Sequence, residues 1–352
     1  MQNTLGFRNL TFVTAVGAFL SLVAGQAVAQ SVTAKPAKSG GDTWKLSRTV
    51  DGQPDLQGVW ANNNATPLER PKELAGRAYL TDQEVAALKK KAGELFDGQS
   101  DAAFGDQVFV NVLANVNGGK SGFKSTDGQT GDYSSVWTVE RDWDNRTSLI
   151  TVPADGRLPE VTAAARQKQA SIAANRDRID GPEDRSLSER CITFGSPRLG
   201  AGYNSYFQIV QSAHEVAIVM ETIHDTRLVP LDGKPHLPAS VQTWMGDSRG
   251  HWEGDTLVID TTNYKPGAFM NVSTDKLHVV EKFTRTGQNG LKWEITIDDP
   301  GAWTKPWTAV IPLRHSREAI YEYACQEGNY GLAGILAGAR AEEKGGAKKA
   351  AE

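Results

Sequence analysis

The amino-acid sequence predicts a mainly β fold of the α+β class: an antiparallel sandwich or barrel with two peripheral helices in its N-terminal half. Three observations lead there. From Cys191 onward, short runs of β-branched and aromatic residues are broken by turn residues at the spacing of a meander or barrel. The turn-forming pairs Asp232-Gly233, Gly254-Asp255 and Asn289-Gly290 fall between such runs. Val216, Ile218 and Met220 alternate with Ala217, Val219 and Glu221, so both faces of that strand are largely apolar, as in a sheet covered on two sides.

The chain of 352 residues opens with one charge, Arg8, and an apolar run from Leu10 to Ala24 that suits a signal-peptide core and is short for a membrane span. Ala27-Val28-Ala29 supplies the small residues of a cleavage site, so residues 1–29 read as an export signal. Residues 30–53 are rich in Ser, Lys, Thr and Gly and read as a flexible leader, with order beginning near Leu56 to Trp60. Residues 54–333 read as a single β-rich domain, and residues 334–352 as a frayed helix or disordered tail.

Within the domain, Thr81 and Glu84 form a capping box, flanked by Leu80 and Val85 where a hydrophobic staple would close. Val85, Leu88, Ala92 and Leu95 then recur at helical spacing, with an end after Phe96 and Gly98 beyond it. An Ala-rich stretch from about Pro159 to Ala174 predicts the second helix, with proline in its first turn. Strands are predicted at Ser205–Gln211, Glu215–Thr222, Arg227–Val229, Thr256–Thr261, Leu277–Arg285, Leu291–Ile297, Thr308–Leu313 and Ala319–Cys325. The two cysteines, Cys191 and Cys325, are expected to pair in an exported chain, closing a loop worth about 4–5 kcal/mol in the chain-entropy model.

Composition excludes several classes. Formal net charge is −4, and loss of the signal removes only Arg8, leaving −5. No basic cluster precedes the last dozen residues, which argues against nucleic acid as a partner. No later segment is apolar enough to span a bilayer, so no transmembrane anchor is expected after processing. There is no His-Glu-x-x-His, Cys-x-x-Cys or calcium-loop pattern; Asp142, Asp144 and Asn145 cluster but lack the loop's glycine and distal glutamate. Neither a phosphate-cradling loop nor a dinucleotide fingerprint occurs. No metal and no cofactor are therefore expected.

Arg146-Thr147-Ser148-Leu149-Ile150, Asp155-Gly156-Arg157, Arg190-Cys191 and Trp252-Glu253-Gly254-Asp255-Thr256-Leu257-Val258-Ile259 together resemble a family of exported bacterial proteins of unassigned function. The similarity runs from about Pro54 to Gln326 and is most specific between Trp244 and Thr262. It implies secretion and a bacterial source. It implies no activity, no cofactor and no catalytic residue.

The most polar constellation holds Glu221, His224, Asp225, Arg227, His236, Asp247, Arg249 and His251, and with them three of the six histidines. A histidine beside a carboxylate can shuttle protons near neutral pH, and an arginine can hold an anion or stabilise developing negative charge. His224 is thus the candidate general acid or base and Glu221 its partner. Arg227 and Arg249 are the cations, with Asp247 and His251 as further candidates. The bland alternative makes Glu221–Arg227 and Asp247–Arg249 ion pairs at strand ends, with structural histidines. Among nine tryptophans and eight tyrosines, Tyr203, Tyr206, Trp244 and Trp252 are the candidates to line a ligand cavity.

The leading expectation is a metal-independent exported enzyme, periplasmic or secreted, acting on a small organic substrate by acid–base chemistry as a lyase, isomerase or hydrolase. The alternatives are a lipocalin-like carrier of an apolar or sugar ligand, and an envelope interaction protein.

Overall fold

The computed structural model describes residues 44–95, 106–119, 139–175, 178–202 and 204–349. The export signal, the leader before Trp44, the helix end at Phe96 and Gly98, Tyr203 and residues 350–352 lie outside them.

Among the described residues the fold is one antiparallel sheet of ten strands with four α-helices around it. The strands are β1 (Gly58–Ala61), β2 (Ile150–Val152), β3 (Tyr206–Gln211), β4 (Glu215–Met220), β5 (Thr226–Pro230), β6 (Asp247–Glu253), β7 (Thr256–Thr262), β8 (His278–Gly287), β9 (Gly290–Asp298) and β10 (Trp307–Ser316). Their order is β5-β4-β3-β1-β10-β9-β8-β7-β6, with β2 pairing the start of β10 and β1 its end. From β6 to β10 the sheet is a plain meander. The long connections are those that bring in β1 and β2.

The sheet curls so that its two edge strands come side by side without sharing a ladder. At this seam β6 carries Gly250, where a Cβ would lie 2.7 Å from Leu231 and 2.8 Å from Val229. Only glycine leaves room for β5 to approach so closely.

Alternation decides what the curl encloses. Val216, Ile218 and Met220 of β4, Leu257 and Ile259 of β7, and Leu291, Trp293, Ile295 and Ile297 of β9 are all buried. Ala217 and Val219 on the second face of β4 are half-exposed, so that strand is covered on one side rather than two.

One charged pair stands among these apolar residues. Arg227 of β5 and Glu281 of β8 bond in a bidentate fork, Nη2 to Oε1 at 2.9 Å and Nη1 to Oε2, with both side chains buried. Trp293 Nε1 donates to Glu281 Oε1 at 3.0 Å. Burial by itself would lower the Arg227 pKa, but attraction to Glu281 outweighs it and raises the value further.

The helices are peripheral, and there are three in the N-terminal half where two were expected. Helix α1 (Asp82–Leu95) begins at the anticipated capping box: Glu84 N donates to Thr81 Oγ1 at 3.2 Å, and Thr81 N donates to Glu84 Oε2 at 2.8 Å. Helix α2 (Gln107–Val116) packs on it through Leu88, Phe109, Val112 and Leu113. Helix α3 (Ala163–Ala174) starts later than Pro159 because Thr162 is its cap, accepting from Ala165 N. The tail is a helix, α4 (Tyr330–Lys349).

Two further expectations are corrected. Residues 319–325 form no strand; the Tyr321 and Tyr323 amides donate to the side chains of Glu221 (3.1 Å) and His224 (3.4 Å) instead. Ahead of Leu56 the described residues already turn back on themselves through an Arg48–Pro54 bridge, and an Arg48–Asp255 ion pair reaches the turn between β6 and β7. Cys191 and Cys325 are joined as a disulfide, 134 residues apart.

Two predictions follow from these contacts. Arg227→Met or Glu281→Gln alone leaves a buried charge unpaired and lowers unfolding stability by about 3–5 kcal/mol, whereas the apolar double replacement loses much less; urea unfolding measures both. Hydrogen bonds from Thr81 and Arg77 hold the Glu84 pKa from 4.5 down to about 2. A depressed carboxylate stabilises the fold above its unfolded pKa, so this contribution is lost as pH falls from 4.5 toward 2. Amide exchange in α1 rises over that window, and Glu84→Gln flattens the response.

Candidate functional site

On the outer face of β6, β7 and β8, polar residues occupy the positions that alternate with the core. Asp247 and Arg249 point outward from β6, Asp260 from β7 and His278 from β8, while Ser248, Thr261, Val279 and Glu281 point inward. Register sets Arg249 opposite Asp260 and Asp260 opposite Val280, next to His278 along β8.

The loop between β5 and β6 brings His236 to the same place. Lys234 N donates to Asp232 Oδ1, a turn at the Asp232-Gly233 pair, with Gly233 at φ 68°. Asn263 Nδ2 then holds the carbonyls of Leu237 and Pro238. At the loop's end Gly246 has φ 72°, and a Cβ there would sit 2.6 Å from Thr261 Cγ2. The chain thus enters β6 against β7, with Asp247 turned toward the loop.

These elements assemble a continuous hydrogen-bonded row. His236 Nδ1 lies 2.9 Å from Asp247 Oδ2 and His236 Nε2 lies 2.8 Å from Asp260 Oδ1. His278 Nε2 lies 2.8 Å from Asp260 Oδ2. Leu237 N and Arg249 Nη2 also donate to Asp247, at 2.9 and 3.1 Å. Both nitrogens of His236 face carboxylate oxygens, so two full hydrogen bonds need a doubly protonated ring or a proton shared with a carboxyl group. His278 Nδ1 has no hydrogen-bond partner among the described residues, and its side chain is 40% exposed against 12% for Asp247.

The sequence-predicted site residues divide between three places. Asp247 and Arg249 belong to the row and form the expected ion pair. His251 is exposed on the outer face and pairs with Glu253 at 3.3 Å. Arg227 is enclosed by Glu281 and cannot hold a substrate, and it makes no pair with Glu221. Glu221 and His224 hold the backbone of residues 321–323, and burial pushes the Glu221 pKa up. No hydrogen bond or ion pair among the described residues joins the Glu221–Arg227 corner to the Asp247–His251 strand, because one faces inward or toward the C-terminal segment and the other outward.

The aromatic candidates do not converge either. Tyr206 is half-buried opposite Ala61, Trp244 lies under Lys265 with Nζ 5.1 Å from its ring centre, and Trp252 packs against the core with its indole N–H unpartnered. The cavity inside the sheet is lined by others, among them Arg198, Phe207, Phe283 and Trp293, and measures about 10 Å³. That is room for at most about one water, far short of the roughly 300 Å³ at which ligand pockets begin.

Asp260 and His278 were not singled out from sequence, where each reads as one outward position of a strand. Their signal is the pattern itself: Asp260 and His278 fall on the outward parity of consecutive hairpin strands and so share a face. Among the described residues no group of three or more His, Cys, Asp and Glu is arranged to hold a metal ion, and no described helix is long and apolar enough to cross a membrane. The chain matches no family model, no curated protein and no solved structure.

The row makes a specific expectation. In Asp260→Asn the imidazole nitrogen resonances of both His236 and His278 shift together, while those of His224 and His251 stay in place; ¹⁵N spectra of histidine-labelled protein read this directly.

Proposed function

We propose that this chain is an exported enzyme that moves a proton on a small organic substrate, by lyase, isomerase or hydrolase chemistry, at the row formed by His278, Asp260, His236 and Asp247. The observation that carries the reading is the half-exposed His278, with one ring nitrogen on Asp260 and the other unpartnered.

A carboxylate on Nε2 fixes the tautomer that leaves the Nδ1 lone pair facing outward, the form of a general base. When Nδ1 takes a proton, Asp260 stabilises the resulting imidazolium through the bond it already makes. Asp260 is held in turn by His236, and His236 by Asp247, so the base sits at the end of a pre-oriented chain. Arg249, bonded to Asp247 on the same face, supplies positive charge for an anionic group or for charge that develops as the proton leaves. Export is supported by the N-terminal signal pattern and by the Cys191–Cys325 disulfide, which persists in oxidising compartments.

The test is a turnover screen of the oxidised protein on nitrophenyl esters, 2-hydroxy acids, 2-keto acids and sugar acids. For any substrate turned over, His278→Gln lowers kcat by about 10²–10⁴-fold, the usual contribution of a general base, with the melting temperature kept. His236→Gln gives a smaller loss. Full activity in both variants removes this site from the reaction.

A further inference from the structure

The Cys191–Cys325 disulfide sits in surroundings that differ on its two sides. Cys191 is buried, 7% exposed, in a left-handed backbone conformation with φ 54°. Its Sγ accepts a hydrogen bond from Asn329 Nδ2 at 3.5 Å. Cys325 instead lines an open cleft of about 390 Å³ together with Ile223, His224, Tyr323, Gln326 and Glu327.

The segment that carries Cys325 has few other fastenings. Residues 317–329 pair with no strand. They are held by backbone bonds to the side chains of Glu221 and His224, by Gln326 to the Cys191 carbonyl at 3.4 Å, by Asn329 to the Glu189 carbonyl at 2.9 Å, and by an edge contact of Tyr323 on Phe194. Ile223 and His224, which meet the segment, both lie at positive φ, 58° and 57°. Such residues are strained and are kept where the surrounding structure demands them. The strained turn leaves His224 exposed at the cleft, with Nδ1 toward Tyr323 N and Nε2 without a partner among the described residues.

We infer that this disulfide is a thiol–disulfide exchange site that takes a dithiol, with Cys325 as the sulfur attacked and Cys191 as the leaving group. A thiol of the incoming dithiol gives its proton to water, and its thiolate attacks Cys325 Sγ. The Cys191–Cys325 bond breaks as the new S–S bond forms, and its electron pair leaves on Cys191. There the Asn329 amide stabilises the thiolate, which lowers the barrier to leaving on that side. The second thiolate of the dithiol then attacks the mixed disulfide and releases Cys325 as a thiolate. The dithiol is oxidised by two electrons, and the protein disulfide is reduced by two.

Once the bond opens, the long-range fastenings of residues 317–329 among the described residues are the hydrogen bonds and the ring contact named above. Arg198, at the rim of the interior cavity, lies over the Phe194 ring at 5.0 Å, with its Nε buried and unpartnered. Burial lowers the Arg198 pKa, and Tyr323 and Glu221 are the groups that oppose the shift.

The experiment treats the oxidised full chain with glutathione, a monothiol that stops at the first step, in the presence of iodoacetamide, and maps the products by mass spectrometry. The expected product carries glutathione on Cys325 and carbamidomethyl on Cys191, with the sheet's circular dichroism intact. Asn329→Ala slows its formation by about tenfold, the loss of one hydrogen bond. With dithiothreitol, amide exchange then rises in residues 317–329 and not in β8–β10. Glutathione found on Cys191 overturns the assignment. So does reduction that proceeds only as fast as the whole protein unfolds, because the bond is then a buried staple. A double Cys191→Ala, Cys325→Ala variant that folds but shows no added exchange in 317–329 would remove the release step.

Discussion

The curl of the sheet rests on the Arg227–Glu281 fork. The two residues belong to strands six places apart in the sheet order, and they meet only because the sheet bends until β5 faces β8 across the interior. A charged pair enclosed this completely is stabilising only with near-ideal geometry and with its remaining lone pairs satisfied. The fork and the Trp293 N–H provide both. An apolar core would tolerate a flatter sheet or a shifted register, whereas this pair fits one. The glycine seam between β5 and β6 is the complementary condition, since a side chain at Gly250 would hold the edges apart before the fork could close.

The fork also explains why the interior is not the place of chemistry. Its charges are spent on each other, Phe283 stacks on Trp293 while Phe207 meets it edge-on, and the space left is about one water in size. The polar groups with free valence lie on the opposite side of the same strands. Parity along β6, β7 and β8 gives each strand one buried and one wet face, and the wet face collects two aspartates, a histidine and an arginine in adjacent registers. The β5–β6 loop then adds His236. A single sheet thereby separates a rigid apolar interior from a row of oriented, partly hydrated proton carriers.

At the third place, the corner after β4, Glu221 and His224 act as acceptors for a segment that has no strand to pair with. Their acceptor atoms replace the ladder that Tyr321 and Tyr323 would otherwise need, since unpaired N–H groups are costly wherever water is excluded. The disulfide completes this arrangement by a covalent bond that chemistry, rather than thermal motion, can open.

Much of the fold was legible in the sequence because its signals are local. Alternating runs located seven strands, the capping box placed the start of α1, and the Gly254-Asp255 pair marked a hairpin. Where local signals were weak or ambiguous the reading failed. The strand β6 was missed because, as a seam strand, it turns Ser248 and Gly250 inward and shows no apolar alternation. The run from Ala319 to Cys325 looks like a strand but finds no free sheet edge. Glu281 was visible as a charge on the buried parity of β8, between Val279 and Phe283, yet nothing local names its partner.

The sequence by itself therefore determined the class of fold and the position of its alternating strands, which follow from spacing along the chain, and the pairing of its two cysteines, which follows from their number. Only the tertiary structure decided that Arg227 meets Glu281 rather than Glu221, and that His236 and His278 share Asp260. Those partners are 54, 24 and 18 residues apart. Which remote side chain arrives is set by sheet curvature and register, quantities that belong to the whole assembly and to no single stretch of it.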